Sequence, residues 1–470
     1  MATKSRFTFR PRVRRLDGTP PPEVCLSRLR DHACVVLLHS AAGEPRRYSL
    51  LAFDPLCDAH GALVELRQEL GGLRELRAQL APAAGDVPPP QFAGGVLAAL
   101  AYDLGVHGEA LELPRDVDDT PHVVGGLYTD YLLFDHERDE TLLVLGDDPG
   151  DARAAVRERE ARVMTELASP REGAPVTPLG PLVRELDGTV HRARVEAARE
   201  RIAAGEIYQA NLAHAFHREL AAHPVDLYLQ LARVNPAPYM AHFAWRAGER
   251  HGAILSASPE LLLELENGVA RTRPIKGTAA RHADPELDAR AARELLASAK
   301  DRAELAMIVD LERNDLGRVA VPGSVRATGF PTLTSYASVH HLSADVSATV
   351  RPGLDAADVL AACFPGGSIS GAPKLSSMEA IAALEGEGRG FFTGSLGSWD
   401  LAGRACFNIL IRTLCWTPGR DAGVGRVRYH VGGGITWGSD PASEERETLV
   451  KGERLARALE GAPQVALESS

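Results

Sequence analysis

Residues 299–309 read AKDRAELAMIV and residues 443–451 read SEERETLVK, and each stretch sets two acids three positions apart. On a helix that spacing puts Asp301 and Glu304 on one face, and Glu444 and Glu447 on one face of another. Two such faces, if opposed, make an oxygen-rich cage. Hard Mg²⁺ takes one or two carboxylates directly and keeps several waters, which the remaining acids orient, leaving positions for an anionic ligand. The plain alternative is a pair of solvated acidic helix faces.

Other residues gain meaning beside such a cage. In RPIKGTAAR, Lys276 stands between a proline that fixes the backbone and a glycine that lets it turn, as either a surface charge or a reactive amine. HVGGGITW places Gly432, Gly433 and Gly434 just before a helix start marked by Asp440 and Pro441. The run reads as a turn, flexible or presenting backbone N–H groups to a carboxylate or phosphate. Lys451, one turn beyond Glu447, reaches towards the same place. Arg412, in FNILIRTLCW, reads as an arginine within an apolar strand, which is costly unless a carboxylate meets it or the side chain faces outward. Glu260 and His341 are candidate acid and base groups that read equally well as turn or capping residues.

The elements that must hold these groups alternate along the chain. After a Pro, Gly and Ala-rich break at 168–181, a charged helical pattern ends near Gly205. Helix signals (PELDARAARELLASAKDRAELAMIVDLERNDLG, SEERETLVKGERLARALEG) then interleave with strand signals (YMAHFAW, ELLLELENG, ACFNILIRTLCW, VRYHVGGG), so sheets covered by helices are expected. Before the break the chain is β-rich, with a second break at 80–95. This gives an N-terminal lobe over 1–170 and a catalytic region over 182–462. A chain of 470 residues that is 45% apolar has ample material for a core. Its net charge of −11 argues against nucleic acid or anionic lipid as a partner. Six cysteines without CxxC spacing suit reduced thiols in the cytoplasm. The basic start MATKSRFTFRPRVRRLDG lacks an apolar follow-on and reads as a strand with a solvated face, and no run has the length of a membrane helix. No GxxxxGK[ST] or post-strand GxGxxG supports nucleotide binding.

Taken together, SPELLLE, RPIKGTAAR, DRAELAMIVDLERNDLGRV, FPGGSISGAPK, FFTGSLGSWD and HVGGGITWGSDPASEERETLVK resemble the chorismate-utilising enzymes in order and spacing, over about residues 185–460. NPAPYM, LLHSAAG and FAGGVLAALAYDLG extend a weaker similarity into the N-terminal lobe. The resemblance implies one intertwined α/β sandwich with two facing β-sheets and helices outside, carrying a single Mg²⁺-dependent chorismate site. By motif position Glu304 and Glu447 match direct metal ligands, with Asp301 and Glu444 a water-bridged pair. Arg412, Lys451 and Gly432 to Gly434 match positions that hold the substrate carboxylates, and Gln209, Thr278 and Gly394 fall at substrate-lining positions. Glu260 matches the acid that protonates the departing hydroxyl, and His341 an active-site histidine.

Two positions narrow the reaction. Gln209 stands where water-activating relatives carry lysine, and an amide has no useful basicity, so ammonia is the expected nucleophile. The PIKGT form around Lys276 resembles aminodeoxychorismate synthase component I, whereas anthranilate synthases resemble PIAGT. The resemblance therefore implies amination of chorismate at C4 through a covalent Lys276 adduct, with ammonia from a separate glutamine amidotransferase subunit. An anthranilate synthase component I and a catalytically silent chorismate-fold subunit are the alternatives. Ser398 replaces an aromatic residue that relatives carry near the substrate, and His39 in LLHS replaces a glutamate in a region that forms a tryptophan pocket in relatives.

Overall fold

The computed structural model describes residues 7–42, 47–61, 66–83, 89, 91–105, 111, 113–148, 153–336 and 339–461. Residues 1–6 of the basic start, 84–88 and 90 of the 80–95 break, and residue 462 at the end of the expected catalytic region lie outside them. Among the described residues two large antiparallel sheets dominate, one of thirteen strands and one of ten. The larger runs from Thr177–Pro178 through Gln209–Ala221, Val424–Ile435, Thr413–Pro418, Arg250–Ser258 and Tyr239–Ala247. It continues without a break into Val36–His39, Tyr48–Ala52, Tyr131–Asp135, Glu140–Gly146 and Pro11–Leu16. The smaller orders Ile275–Ala280, Val339–Thr349, Val269–Arg273, Leu261–Glu266, Ala405–Ile409 and Ser395–Asp400 beside Gly95–Leu100, Val123–Tyr128 and Cys57–Gly61. Strands from both sides of the 168–181 break thus share both sheets.

The period-2 pattern of the strands explains the layering. Ile254 joins the core between the sheets, with Phe243, Leu97, Leu263, Leu342, Trp399 and Phe407. Its neighbour Leu255 points the other way, into a second core with Leu37, Leu132, Leu414 and Val427 under the helix Pro224–Val234 and Leu455 of the helix Pro441–Ala458. The result is the expected sandwich of facing sheets with helices outside. No helix among the described residues is long and apolar enough to cross a membrane.

The long helical pattern over 285–317 resolves into two helices, Pro285–Ala297 and Ala299–Gly317, because Ser298 breaks the run and caps the second one by accepting from the Asp301 N–H at 3.2 Å. Asp301 therefore sits in a first turn, where the helix dipole favours an anion. Asp440 caps the Pro441–Ala458 helix by accepting from the Ser443 N–H at 2.9 Å, with Pro441 in the first turn, as the sequence indicated.

Candidate active site

The site forms where the two sheets adjoin. The chain passes from Arg250–Ser258 in the larger sheet to Leu261–Glu266 in the smaller through Pro259 and Glu260, and returns from Ala405–Ile409 to Thr413–Pro418 through Leu410 to Arg412. The crossings run side by side, with the Ile409 N–H donating to the Glu260 carbonyl and the Ala257 N–H to the Arg412 carbonyl, both at 3.0 Å. Arg412 is therefore not within a strand, as FNILIRTLCW suggested. The apolar run is two strands of different sheets, and Arg412 turns the corner between them at φ 51, a left-handed value uncommon outside glycine. Its guanidinium has no hydrogen-bond or ion-pair partner among the described residues, while burial and Arg454 press against its charge.

Lys276 owes its direction to a bulge. Lys276 pairs with Leu342 and Thr278 with His341, so Gly277, at φ 71, is the extra residue, and a Cβ there would stand 3.0 Å from the Asp301 side chain. The Lys276 ammonium donates to the Ser368 carbonyl at 3.0 Å. Burial pushes its pKa below the ordinary lysine range, against the pull of Glu304 and Glu260. Glu260, 3% exposed, accepts from the Ile275 N–H at 3.2 Å. Burial raises its pKa, and the Ser368 hydroxyl and Lys276 only partly restore the charged form.

His341 Nδ1 lies 3.0 Å from the Gly277 carbonyl and 3.0 Å from Thr278 Oγ1. The carbonyl can only accept, so Nδ1 carries the hydrogen and Nε2 keeps its lone pair, buried and without a partner among the described residues. Burial, reinforced by Arg412, drives the His341 pKa down to about 4, so the ring is neutral near pH 7.

The three glycines are not a turn. Gly432, Gly433 and Gly434 lie inside the strand Val424–Ile435, opposite Ala213, Leu212 and Asn211. They are glycines because other groups occupy the space of their side chains. A Cβ on Gly434 would stand 2.4 Å from Gln209 Nε2 and 3.6 Å from Lys276 Nζ, and one on Gly433 would stand 3.4 Å from Glu444 Oε2 and 3.7 Å from Lys451 Nζ. Thr413–Pro418 pairs with this strand only as far as Arg428, which leaves its last residues an open edge where Lys451 Nζ donates to the Gly432 carbonyl at 3.1 Å. Gln209 is fully buried, yet neither polar atom of its amide has a partner among the described residues. An orphaned donor and acceptor at this point suit a polar ligand.

The acids face one another across two helices. Burial raises Glu304, and both Asp301 and Glu444 add repulsion. Burial also raises Glu444, opposed by the Ser439 hydroxyl and worsened by Glu447. Glu447 is pushed up by burial but ends below the ordinary range because Lys451 lies 2.8 Å away. Among the described residues no three His, Cys, Asp or Glu side chains converge to enclose a metal by themselves. The donor set fits Mg²⁺ through two carboxylates, with water or ligand oxygens completing the shell.

The structure thus gathers Lys276, Glu260, Gln209, Gly433, Gly434, Glu304, Glu444, Glu447 and Lys451 around one seam, with the Asp301 side chain against the Gly277 bulge and Thr278 and His341 behind it. Gly394 stands apart: its carbonyl accepts from the Leu410 N–H at 2.9 Å, and a Cβ there would stand 2.0 Å from the Leu100 carbonyl, which accounts for the glycine. Ser398, expected by the substrate ring, instead lines a separate cavity of about 730 Å³ between the sheets, with His39, Arg47, Tyr239 and Arg404. His39 is held there by Tyr228 at 2.9 Å and Glu23 at 3.3 Å. Ser368 and Asn211, whose side-chain amide reaches the same Ser368 carbonyl at 3.5 Å, carry no signal in the sequence beyond their motif neighbours.

The sequence profile of chorismate binding enzymes matches residues 36–457. The chain belongs to the chorismate-binding enzymes. This chorismate-binding chain is 37% identical to aminodeoxychorismate synthase component 1 of Klebsiella aerogenes, over 93% of its own length and 96% of that protein. It is 36% identical to anthranilate synthase component 1 of Streptomyces coelicolor, over 94% and 92% of the two chains. Its fold matches the crystal structure of anthranilate synthase component I from Streptococcus pneumoniae with a TM-score of 0.71 and 29% identity, covering 87% of this chain and 91% of that one.

Proposed function

We propose that this chorismate-binding enzyme is the component I of an aminodeoxychorismate synthase, which converts chorismate and ammonia to 4-amino-4-deoxychorismate. The observation that carries the reading is Lys276, a desolvated amine aimed by a glycine bulge into a seam that also holds the buried acid Glu260. A neutral Nζ adds at C2 of the ring as Glu260 gives its proton to the departing C4 hydroxyl, and ammonia then adds at C4 and expels the lysine. Gln209 offers an amide, not a base, so nothing at that position generates hydroxide from water, and its carbonyl oxygen is free to accept from ammonia. Arg412, unpartnered among the described residues, and Lys451, at the open edge beside Gly432, bind the substrate carboxylates. Glu304 and Glu447 would hold Mg²⁺, with Asp301 and Glu444 behind them, and the ion would supply positive charge to offset charge on the substrate oxygens.

Free ammonia is scarce at neutral pH, so a glutamine-hydrolysing amidotransferase subunit is the proposed partner. The test is product identification by mass spectrometry and fluorescence after incubation with chorismate, Mg²⁺ and ammonium. A product that keeps the enolpyruvyl group with nitrogen at C4 supports the reading. Fluorescent anthranilate with pyruvate assigns the chain to anthranilate synthesis instead, and no turnover makes it a silent subunit.

A further inference from the structure

The stretch FFTGSLGSWD begins two residues after Arg389, an arginine that is only 3% exposed. Its fork meets Glu385, the last residue of the helix Lys374–Glu385, through Nε at 2.9 Å and a terminal nitrogen at 2.7 Å. The remaining donors go to the Ile369 carbonyl and the Thr393 hydroxyl, both at 3.3 Å, and to the Asn211 carbonyl. All five guanidinium N–H groups are thus used. Glu385 in turn accepts from the Ala213 N–H at 2.8 Å. The N-terminal lobe fixes the arginine's own backbone: Asp103 accepts from the N–H groups of Arg389 at 2.9 Å and Gly390 at 2.8 Å, and the Tyr102 ring lies 4.8 Å from the guanidinium.

What the pair holds is an edge of the strand Gln209–Ala221. Along that edge Ala372 and Gly371 pair with Gln209 and Ala210, and Arg184 and Val183 with Phe216 and His217. Among the described residues no strand covers the Asn211 carbonyl or the Ala213 N–H between them, and Arg389 and Glu385 supply what a strand would. Ile369 follows Ser368, whose carbonyl accepts from Lys276 Nζ at 3.0 Å. One guanidinium therefore spans from the backbone beside the lysine's acceptor to the backbone beside Gln209. Burying an ion pair adds little stability beyond what apolar packing would give, so five fixed bonds point to placement as the gain.

Resting on the function proposed above, we propose that Arg389 is a positioning residue for Lys276 and Gln209: by bridging the Ile369 and Asn211 carbonyls it sets the spacing across the seam between the amine that attacks the ring and the amide that receives ammonia. Arg389 touches neither group itself. It acts through two backbone segments, each of which carries one of them, and the N-terminal lobe takes part in the site through its hold on Arg389.

The experiment follows the rate at which Lys276 acquires the chorismate-derived mass, by intact-mass spectrometry of the full chain with Mg²⁺ over a range of chorismate concentrations and without ammonia. Arg389→Lys keeps the charge beside Glu385 but has no fork to span both carbonyls. Glu385→Asp keeps both charges and draws the guanidinium back by one methylene, so it tests the same placement through the other partner. In each the maximal rate of adduct formation is expected to fall by roughly 10²-fold, the cost of misplacing reacting groups by about 1 Å. The chorismate concentration at half-maximal rate should change by less than about threefold, because neither variant touches Arg412 or Lys451. The Mg²⁺ isotherm should not move. Thr393→Val removes an acceptor of the same guanidinium but neither carbonyl, and should leave the rate close to that of the wild type. Wild-type adduct kinetics in either charge-keeping variant, or a loss in Thr393→Val equal to theirs, overturns the clamp while leaving the proposed function intact. A weakened Mg²⁺ isotherm in both charge-keeping variants overturns it as well, since that marks a general loosening of the site. Anthranilate made by the wild-type chain with no Lys276 adduct overturns the function, and the clamp with it.

Discussion

Gln209 and Gly434 interlock across neighbouring strands: the amide of one fills the space that a side chain on the other would need, with Nε2 2.4 Å from that point. Gly434→Ala therefore pushes a fully buried amide out of place, with the new Cβ itself 3.6 Å from Lys276 Nζ. A displaced side-chain end relaxes more cheaply than backbone, so a cost of about 1–3 kcal/mol in stability is expected, with a much larger loss in rate. Chorismate turnover by the Ala variant should fall by roughly tenfold or more while its thermal midpoint drops by only a few degrees. A variant with unchanged rate shows that Gln209 does not need its present position.

Acid should weaken the fold through histidines outside the site. His191 is fully buried and His214 is 2% exposed, and their rings meet at 4.8 Å. Burial drives His214 down to about 3 and His191 to about 4 from an ordinary 6.5. The unfolded chain takes up these protons near pH 6.5 and the folded chain does not, so the stabilisation is complete above that pH and is lost as pH falls towards the folded values. Between pH 7 and pH 5 each histidine should cost about 2 kcal/mol. Urea unfolding of the wild type and of His191→Leu at both pH values isolates one of them, because raised carboxylates such as Asp103 shift stability the other way in both proteins. Equal losses in the two proteins would clear His191.

How far the sequence reaches depends on what each residue contributes. Helical spacing and capping show in residue types, so the pairing of Asp301 with Glu304 and of Glu444 with Glu447, and the start at Asp440, were legible. Glycine marks a turn and a close approach alike, and only the strand opposite Gly432–Gly434 decides between them. Arg412 was misplaced because apolar residues continue on both sides of it, although the chain changes sheets there. Ser298 breaks the helical pattern by capping, which a serine inside a charged run does not announce. Ser368 is invisible because its contact with Lys276 is made through a carbonyl that every residue possesses.

The acid cage has a reading independent of turnover. Glu447, already drawn to its charged form by Lys451, is proposed as a hard anionic ligand, which Glu447→Gln would convert to a weak neutral one. Calorimetric titration of Mg²⁺ into the chain without substrate should show affinity reduced by roughly tenfold or more. Glu444→Gln, a change behind the proposed direct ligands, should cost less. An unchanged Mg²⁺ isotherm in the Glu447 variant removes that residue from the cage.

Arg412 offers the sharpest test of substrate binding. Arg412 is half-buried at the corner between the sheets and its guanidinium is unpaired among the described residues, so the fork is free to meet a carboxylate in two parallel hydrogen bonds. Arg412→Lys keeps the charge and, like arginine, carries a Cβ at φ 51, so the backbone cost of that corner is the same in both proteins. What changes is the fork. Charge-assisted hydrogen bonds are worth about 1.5–3 kcal/mol, so the KM for chorismate should rise by roughly 10- to 100-fold. The rate at saturation should fall less, since the lost contact holds a group that does not react. The melting temperature should stay within a few degrees of the wild type. A KM that does not move would mean that the left-handed corner is tolerated for another purpose and that Lys451 and the open edge at Gly432 hold the carboxylates without it.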